Sequence, residues 1–146
     1  MSVTASPSGT PLPNILVTTT DLKRLRDVIE RGLFSAQASA AELLEQELDR
    51  ADVVESAQVP ADVVTMRSRV LFEDVGTGRT REFSLVYPAE ADLDAGKLSV
   101  LTPVGAALLG LRVGASIDWP LPGGRTTRFQ VKAVPYQPEA AGDFDL

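Results

Sequence analysis

Side chains that could perform catalysis are limited in kind in this sequence of 146 residues. It contains no cysteine and no histidine, so thiolate nucleophiles, imidazole bases, disulfides and Cys/His zinc sites are excluded. Any catalysis would depend on carboxylates, lysine, serine, threonine or tyrosine, and these do not recur in a recognisable catalytic arrangement. The sequence therefore predicts a protein that is not an enzyme, with no catalytic residue, no metal site and no cofactor.

One short segment, residues 101–110 (LTPVGAALLG), has a specific local chemistry. Thr102 can accept a hydrogen bond as a helix N-cap, Pro103 suits the first helical position, and Gly110 can end the helix in a left-handed conformation. Gly105 is unusual, because glycine inside a helix costs about 1 kcal/mol relative to alanine. A close neighbour, or a partner that needs access, would explain it. The segment is either only the capped start of a short buried helix or also a docking surface.

The charge of the chain argues against direct binding to nucleic acid. Twenty acidic and fourteen basic residues give a net charge of −6, whereas phosphate binding normally requires a basic face. Four arginines beside two turns could form a small basic face: Arg79, Arg81, Arg125 and Arg128. Acidic residues predominate elsewhere, so we expect no direct contact with DNA or RNA.

Two other features have both a structural and a functional interpretation. Trp119 could line a ligand cleft, but few aromatic residues converge on it, which favours a place in the core. The PGG sequence at 122–124 could approach a phosphate, but a hairpin turn is the more common use of such residues.

The elements that would position these residues begin with a helical hairpin at 14–52. Ile15, Leu16 and Val17 could form a short strand, after which Thr20 is the predicted cap of the first helix. Apolar residues then recur with a period near 3.6: Leu22, Leu25, Val28, Ile29 and Leu33. In the second helix, Ser39 and Glu42 have the spacing of a capping box. The short connection predicts an antiparallel pair, and about 12 residues per helix give a length of about 20 Å.

A change to alternating hydrophobicity marks a second part, from about 60 to 138. The segment after Asp52 (VVESAQVPADVV) is predicted to be a linker into this part, and a strand with Val64, Met66, Val70 and Phe72 on one face follows. Two hairpins with one short helix between them complete an α+β fold.

The two ends of the chain are predicted to be disordered. Residues 1–13 form a polar tail without the features of a secretion signal, and residues 139–146 form an acidic tail that could alternatively engage a basic partner surface. No apolar run approaches the 18 residues of a membrane span, so we expect a cytoplasmic protein, with a monomer the expected state.

Several motifs resemble a known family. They are SVLTPVGAALLGLRVGASIDWPLPGG at 99–124, YQPEAAGD at 136–143, VPADVVTMRSRVLFED, LVYPAEAD and AAELLEQELDRA. Together they make residues 14–146 similar to the bacterial regulators of nucleoside diphosphate kinase, the Rnk family, which is related to the transcript cleavage factors GreA and GreB. The resemblance implies a helical hairpin joined to a C-terminal domain of the FKBP type.

The resemblance also implies a partner. Gre factors dock their C-terminal domain on RNA polymerase at the rim of the secondary channel, and acidic residues at the tip of a long hairpin hold a catalytic Mg²⁺. Here the hairpin is short and its predicted tip, residues 34–40, has no carboxylate, whereas Mg²⁺ requires oxygen ligands. The resemblance therefore implies polymerase binding and competition with Gre factors, without transcript cleavage. Residual Mg²⁺-dependent cleavage is the opposing hypothesis.

The Gre contact includes an acidic residue, a serine and a proline before the short helix. The matching positions here are Leu101, Thr102 and Pro103, so the predicted polymerase-binding residues are these three and Val104. Leu101 departs from the pattern, which implies a weaker or more apolar contact. The alternative function is an FKBP-like prolyl isomerase or peptide-binding chaperone.

Overall fold

The computed structural model describes residues 14–120 and 124–143, leaving out the side chains of residues 119 and 120. The predicted tail at 1–13, the packing of the Trp119 side chain, most of the PGG turn and the last three residues lie outside this description. Among the described residues, no helix is long and apolar enough to cross a membrane.

The α+β class is confirmed, with a helical pair followed by a five-stranded sheet. The helical part comprises β1 (Leu16–Thr18), α1 (Thr19–Gly32), α2 (Ala38–Asp49) and β2 (Asp52–Val54). The second part comprises β3 (Arg69–Asp74), β4 (Arg79–Val86), β5 (Lys97–Ser99), α3 (Pro103–Leu108), β6 (Ser116–Pro120), β7 (Thr126–Tyr136) and α4 (Pro138–Ala141). Its strand order is β5-β4-β3-β7-β6, and only β4 and β5 pair in parallel.

Both helices of the pair are present, but the predicted caps are wrong. Thr18, not Thr20, caps α1: its hydroxyl oxygen accepts a hydrogen bond from the Asp21 amide at 3.1 Å, because the strand continues through Thr18. At α2 the N-cap is Gln37, without a side-chain cap bond. The helix begins two residues earlier than a Ser39 cap requires, so the capping box with Glu42 is not formed.

The segment after α2 is not simply a linker, because residues 52–54 form a strand. They pair in parallel with β1, placing Leu16 opposite Asp52 and Thr18 opposite Val54. The two helices form the crossover connection that a parallel pair requires. This pairing joins residues far apart in sequence, so the local hydrophobic pattern does not indicate it.

The predicted strand at Val64 begins later, at Arg69. The chain turns between Thr65 and Ser68, where the Thr65 amide donates to the Ser68 hydroxyl at 2.9 Å and Arg67 has φ of 64°. Val64 and Met66 are nevertheless buried, as their apolar character predicted. The hairpins β3–β4 and β6–β7 are confirmed.

Residues of the helical pair and of the sheet share one hydrophobic core. Leu25, Ile29 and Leu44 belong to the same buried cluster as Val70 and Leu108. A backbone hydrogen bond from the Leu16 amide to the Gly110 carbonyl, at 3.1 Å, also joins the two parts. The boundaries 14–52 and 60–138 stay a prediction, but the two ranges are packed together.

The predicted disorder of residues 139–146 is wrong for residues 139–143, because Pro138–Ala141 form α4. Gln137 caps α4 by accepting from the Ala140 amide, and its side-chain amide donates to the carbonyls of Pro60 and Val63. Glu139 accepts a hydrogen bond from the Thr65 hydroxyl at 2.7 Å. These contacts fix α4 to the residues before β3.

Candidate functional site

The start of α3 has the local geometry that the sequence predicted. The Thr102 hydroxyl accepts from the Gly105 amide at 3.0 Å and donates to the Ser99 carbonyl at 2.8 Å. Pro103 occupies the first turn, where its missing amide proton costs nothing. Gly110 has φ of +82° after the helix.

The unusual Gly105 is explained by a close neighbour. A Cβ at this position would lie 2.2 Å from the Ser99 carbonyl oxygen, which is far inside van der Waals contact. Because that oxygen belongs to the backbone and also accepts from Thr102, it cannot easily move away. The glycine therefore allows α3 to sit directly against the end of β5.

The four predicted docking residues have different exposures. The Leu101 side chain is buried, with 5% of the residue exposed, whereas Thr102, Pro103 and Val104 are half-buried. Leu101 packs against the end of α1: a Cβ on Gly32 would lie 3.1 Å from Leu101 Cδ1. Leu101 thus holds the helical pair beside α3, and the following three residues present the accessible surface.

The 101–104 segment contributes to two cavities. Leu101 lines a cavity of about 660 Å³, together with residues of α1, the turn after it and the start of the Pro88–Glu90 helical turn. Val104 lines a second cavity of about 720 Å³ over the sheet. A partner that covers residues 102–104 would therefore meet a concave surface nearby.

Charged and aromatic groups of the chain itself organise the first cavity. The Arg67 guanidinium makes a bidentate contact with Glu90, with Nη2 3.0 Å from Oε2, and lies 5.2 Å from the centre of the Tyr87 ring. Burial raises the pKa of the Tyr87 hydroxyl above its ordinary range, and the nearby Asp21 charge adds to this effect. Arg67 is therefore already paired at this cavity.

The second cavity has an aromatic wall that the sequence did not single out. Phe72 packs edge-on against Phe129 with ring centres 5.7 Å apart, and tilted against Phe83 at 6.2 Å. Leu93, 64% exposed, is another lining residue. Phe72 was predicted from the sequence to lie on one face of its strand with Val70. The convergence of the three rings depends on strand register, which the sequence does not show.

The small basic face of four arginines is only partly formed. Arg79 and Arg81 line the second cavity. Arg128 instead pairs with Asp118, whose Oδ1 lies 2.7 Å from Nε, and this hydrogen bond lowers the pKa of the Asp118 carboxyl. The arrangement is a pair of arginines beside aromatic rings.

The turn between α1 and α2 is ordered by hydrogen bonds but carries no charge. The Ser35 hydroxyl donates to the Gly32 carbonyl at 2.8 Å and accepts from the Gln37 amide at 3.1 Å. Residues 32–41 contain no charged side chain. Phe34 is 91% exposed at this turn. Within residues 14–120 and 124–143, no group of three or more acidic side chains is placed to hold a metal ion.

Comparison with known proteins identifies the family. Residues 59–136, more than half of the chain, match the family described as "Transcription elongation factor, GreA/GreB, C-term", and residues 13–54 match "Rnk N-terminus". The regulator of nucleoside diphosphate kinase of Escherichia coli (strain K12) is 47% identical over 134 residues, covering 92% of this chain and 98% of the relative. The chain belongs to the Rnk proteins of the GreA/GreB family.

A solved structure and a GreA factor are also similar to this Rnk protein. A solved structure described as a prokaryotic transcription elongation factor GreA/GreB from Nitrosomonas europaea superimposes with a TM-score of 0.65 at 40% identity, covering 85% of this chain and 99% of that one. Transcription elongation factor GreA of Thermotoga petrophila is 38% identical over 91 residues, but these cover only 57% of its length. The named relatives of this Rnk protein are regulators and elongation factors.

Proposed function

We propose that this protein regulates transcription by binding RNA polymerase near its secondary channel through the C-terminal part of the chain. The observation that carries the proposal is the accessible surface of Thr102, Pro103 and Val104 on a GreA/GreB-type fold. Gre-type factors would compete for the same place. The protein would act in the cytoplasm as a monomer, without direct contact to nucleic acid and without being an enzyme itself.

The proposal includes binding without stimulation of transcript cleavage. The uncharged turn at residues 32–41 offers no carboxylate for a catalytic Mg²⁺. Helix α1 has 14 residues, which corresponds to a length of about 21 Å. A short hairpin with an uncharged turn supports the occupation of the channel entrance without cleavage. The relatives reported above are not described as isomerases, so the prolyl isomerase alternative gains no support from them.

A competition experiment tests the binding. A labelled Gre factor bound to core polymerase should be displaced by the wild-type protein, and Val104→Asp should weaken displacement at least tenfold by placing a charge on the docking surface. Val53→Asp is the matched control, because it adds the same charge to a valine that is 45% exposed in β2, outside the docking surface. Thermal unfolding of both variants verifies that their fold is intact. No displacement and no direct retention of the wild-type protein on polymerase at low salt would refute the proposal.

A cleavage assay tests the second half of the proposal. Stalled elongation complexes with Mg²⁺ should keep their full-length RNA when the protein is added, while a Gre factor in a parallel reaction shortens it. RNA shortening that requires the added protein would contradict the proposed mode of action.

A further inference from the structure

The turn between the two helices lies beside the 101–104 segment. Gly32, the last residue of α1, packs against Leu101, and Ser35 and Gln37 line the same cavity as Leu101. Two Cα steps from Gly32 place the Cα of Phe34 within about 8 Å of the Gly32 Cα. The turn and the start of α3 are therefore close to each other in the structure.

Phe34 is displayed at this turn in a defined conformation. The amides of Phe34 and Ser35 donate to the carbonyls of Arg31 and Gly32, at 3.3 and 3.1 Å. The Ser35 hydroxyl closes the turn from the other side through the Gln37 amide. The aromatic ring is nevertheless 91% exposed, and the preceding Leu33 is 37% exposed. An ordered backbone lowers the entropy cost of placing this ring in a partner's pocket.

The character of the surface around Phe34 indicates the kind of pocket it fits. Residues 32–41 are uncharged in a chain with 23% charged residues, so the turn can enter an apolar pocket without removing a charge from water. Aromatic side chains at the centre of an interface commonly contribute much of the binding energy. A single exposed apolar residue is ordinary on protein surfaces, and the adjacency to residues 102–104 is what distinguishes this one.

We propose that Phe34 is an anchor for RNA polymerase, inserted in an apolar pocket beside the site that receives Thr102, Pro103 and Val104. The two contacts form one continuous docking surface. This inference rests on the proposed function, since it names a second contact with the same partner. The turn between α1 and α2 then serves to attach the protein to the polymerase.

Direct binding of core polymerase to wild type, Phe34→Ser and Phe34→Leu tests the inference. We expect Phe34→Ser to raise the Kd at least tenfold and Phe34→Leu to raise it less, because leucine keeps part of the apolar surface. Val53→Ser is the matched control, since Val53 is 45% exposed in β2, at the opposite end of α1 from the turn. It should leave the Kd within twofold of wild type. Thermal unfolding of each variant verifies that its fold is intact.

The outcomes separate this inference from the proposed function. Wild-type binding with an unchanged Kd for Phe34→Ser would refute the anchor and leave polymerase binding in place. No binding by the wild type would refute both. If sedimentation shows a dimer that Phe34→Ser dissociates, Phe34 serves a second copy of this chain and the anchor proposal is wrong.

A dye attached at the turn provides a second readout. Ala36→Cys creates the sole thiol of a chain that has no native cysteine. An environment-sensitive dye there should shift its emission on addition of polymerase, whereas the same dye on Val53→Cys should not. Equal responses at both positions would contradict insertion of the turn.

Discussion

Asp21 is buried in the first turn of α1. A negative charge is favourable at this end of a helix, but only 5% of the residue is exposed. Its carboxylate accepts a hydrogen bond from the Met66 amide at 3.1 Å and so ties α1 to the turn before β3. Burial raises the pKa of this carboxyl to about 6, against the opposing effect of the Met66 hydrogen bond.

The raised pKa predicts a pH dependence of stability. Between the ordinary value of 3.8 and about 6, the folded state holds a proton that the unfolded state has lost. The free energy of unfolding should therefore fall as pH rises through this window, by an amount on the order of 3 kcal/mol at 1.36 kcal/mol per pKa unit. Urea unfolding from pH 4 to pH 7 measures it, and Asp21→Asn should remove most of the slope.

The exposed Asp27 provides the control for this titration. It lies on the same helix, so Asp27→Asn changes net charge by the same amount without changing a buried group. The wild-type slope should persist in this variant. Equal slopes in wild type and Asp21→Asn would show that Asp21 is not the titrating residue.

At the scale of elements, local signals in the sequence predicted the start of α3 correctly, but they did not predict the starts of α1 and α2. Thr102, Pro103 and Gly110 act through residues at most a few positions away, so their roles follow from sequence alone. The caps of α1 and α2 differ from the predicted ones because β1 fixes where α1 begins and the turn at Ser35 fixes where α2 begins. Three consecutive threonines, Thr18 to Thr20, lie at the start of α1, and the pairing of β1 with β2 selects Thr18 as the cap.

A pair of alanine substitutions tests the corrected caps. Thr18→Ala should destabilise the protein by about 1 to 2 kcal/mol, because it leaves the Asp21 amide without its acceptor. Ser39→Ala should change stability by less than about 0.5 kcal/mol, because Ser39 is exposed inside α2 and does not cap it. Chemical denaturation measures the free energy of unfolding of both variants. A larger loss of stability for Ser39→Ala than for Thr18→Ala would show that the capping box does form.

For the whole molecule, the sequence predicted the order and type of the main elements but not how the two parts join. The change of hydrophobic period between 52 and 60 indicated a linker. The structure instead has a parallel strand pair there and one shared cluster containing Leu44, Leu48, Val70 and Leu108. The three phenylalanines beside Val104 likewise come together only through strand register. Contacts between distant segments leave little trace in a single sequence.

The shared core predicts one cooperative unfolding transition. Helical circular dichroism reports largely on α1 and α2, and the fluorescence of Trp119, the single tryptophan, reports on β6. The two denaturation curves should coincide. Leu44→Ala should shift both by the same amount, about 3 kcal/mol, because it opens a cavity in the common core. Two separated transitions would show that the parts fold independently.

The parallel pairing of β1 with β2 brings the two ends of the helical pair, α1 and α2, close together. Leu16 and Asp52 are partners, so the chain leaves for α1 and returns from α2 on adjacent strands about 5 Å apart. Because these ends are so close, a helical pair of different length can connect them without a change in the pairing of β1 and β2. Helical pairs of other lengths are therefore expected to be graftable at this junction when they keep the residues that pack on the common core, Leu25, Ile29 and Leu44. Such a series of chimeras would separate the effect of hairpin length from that of docking.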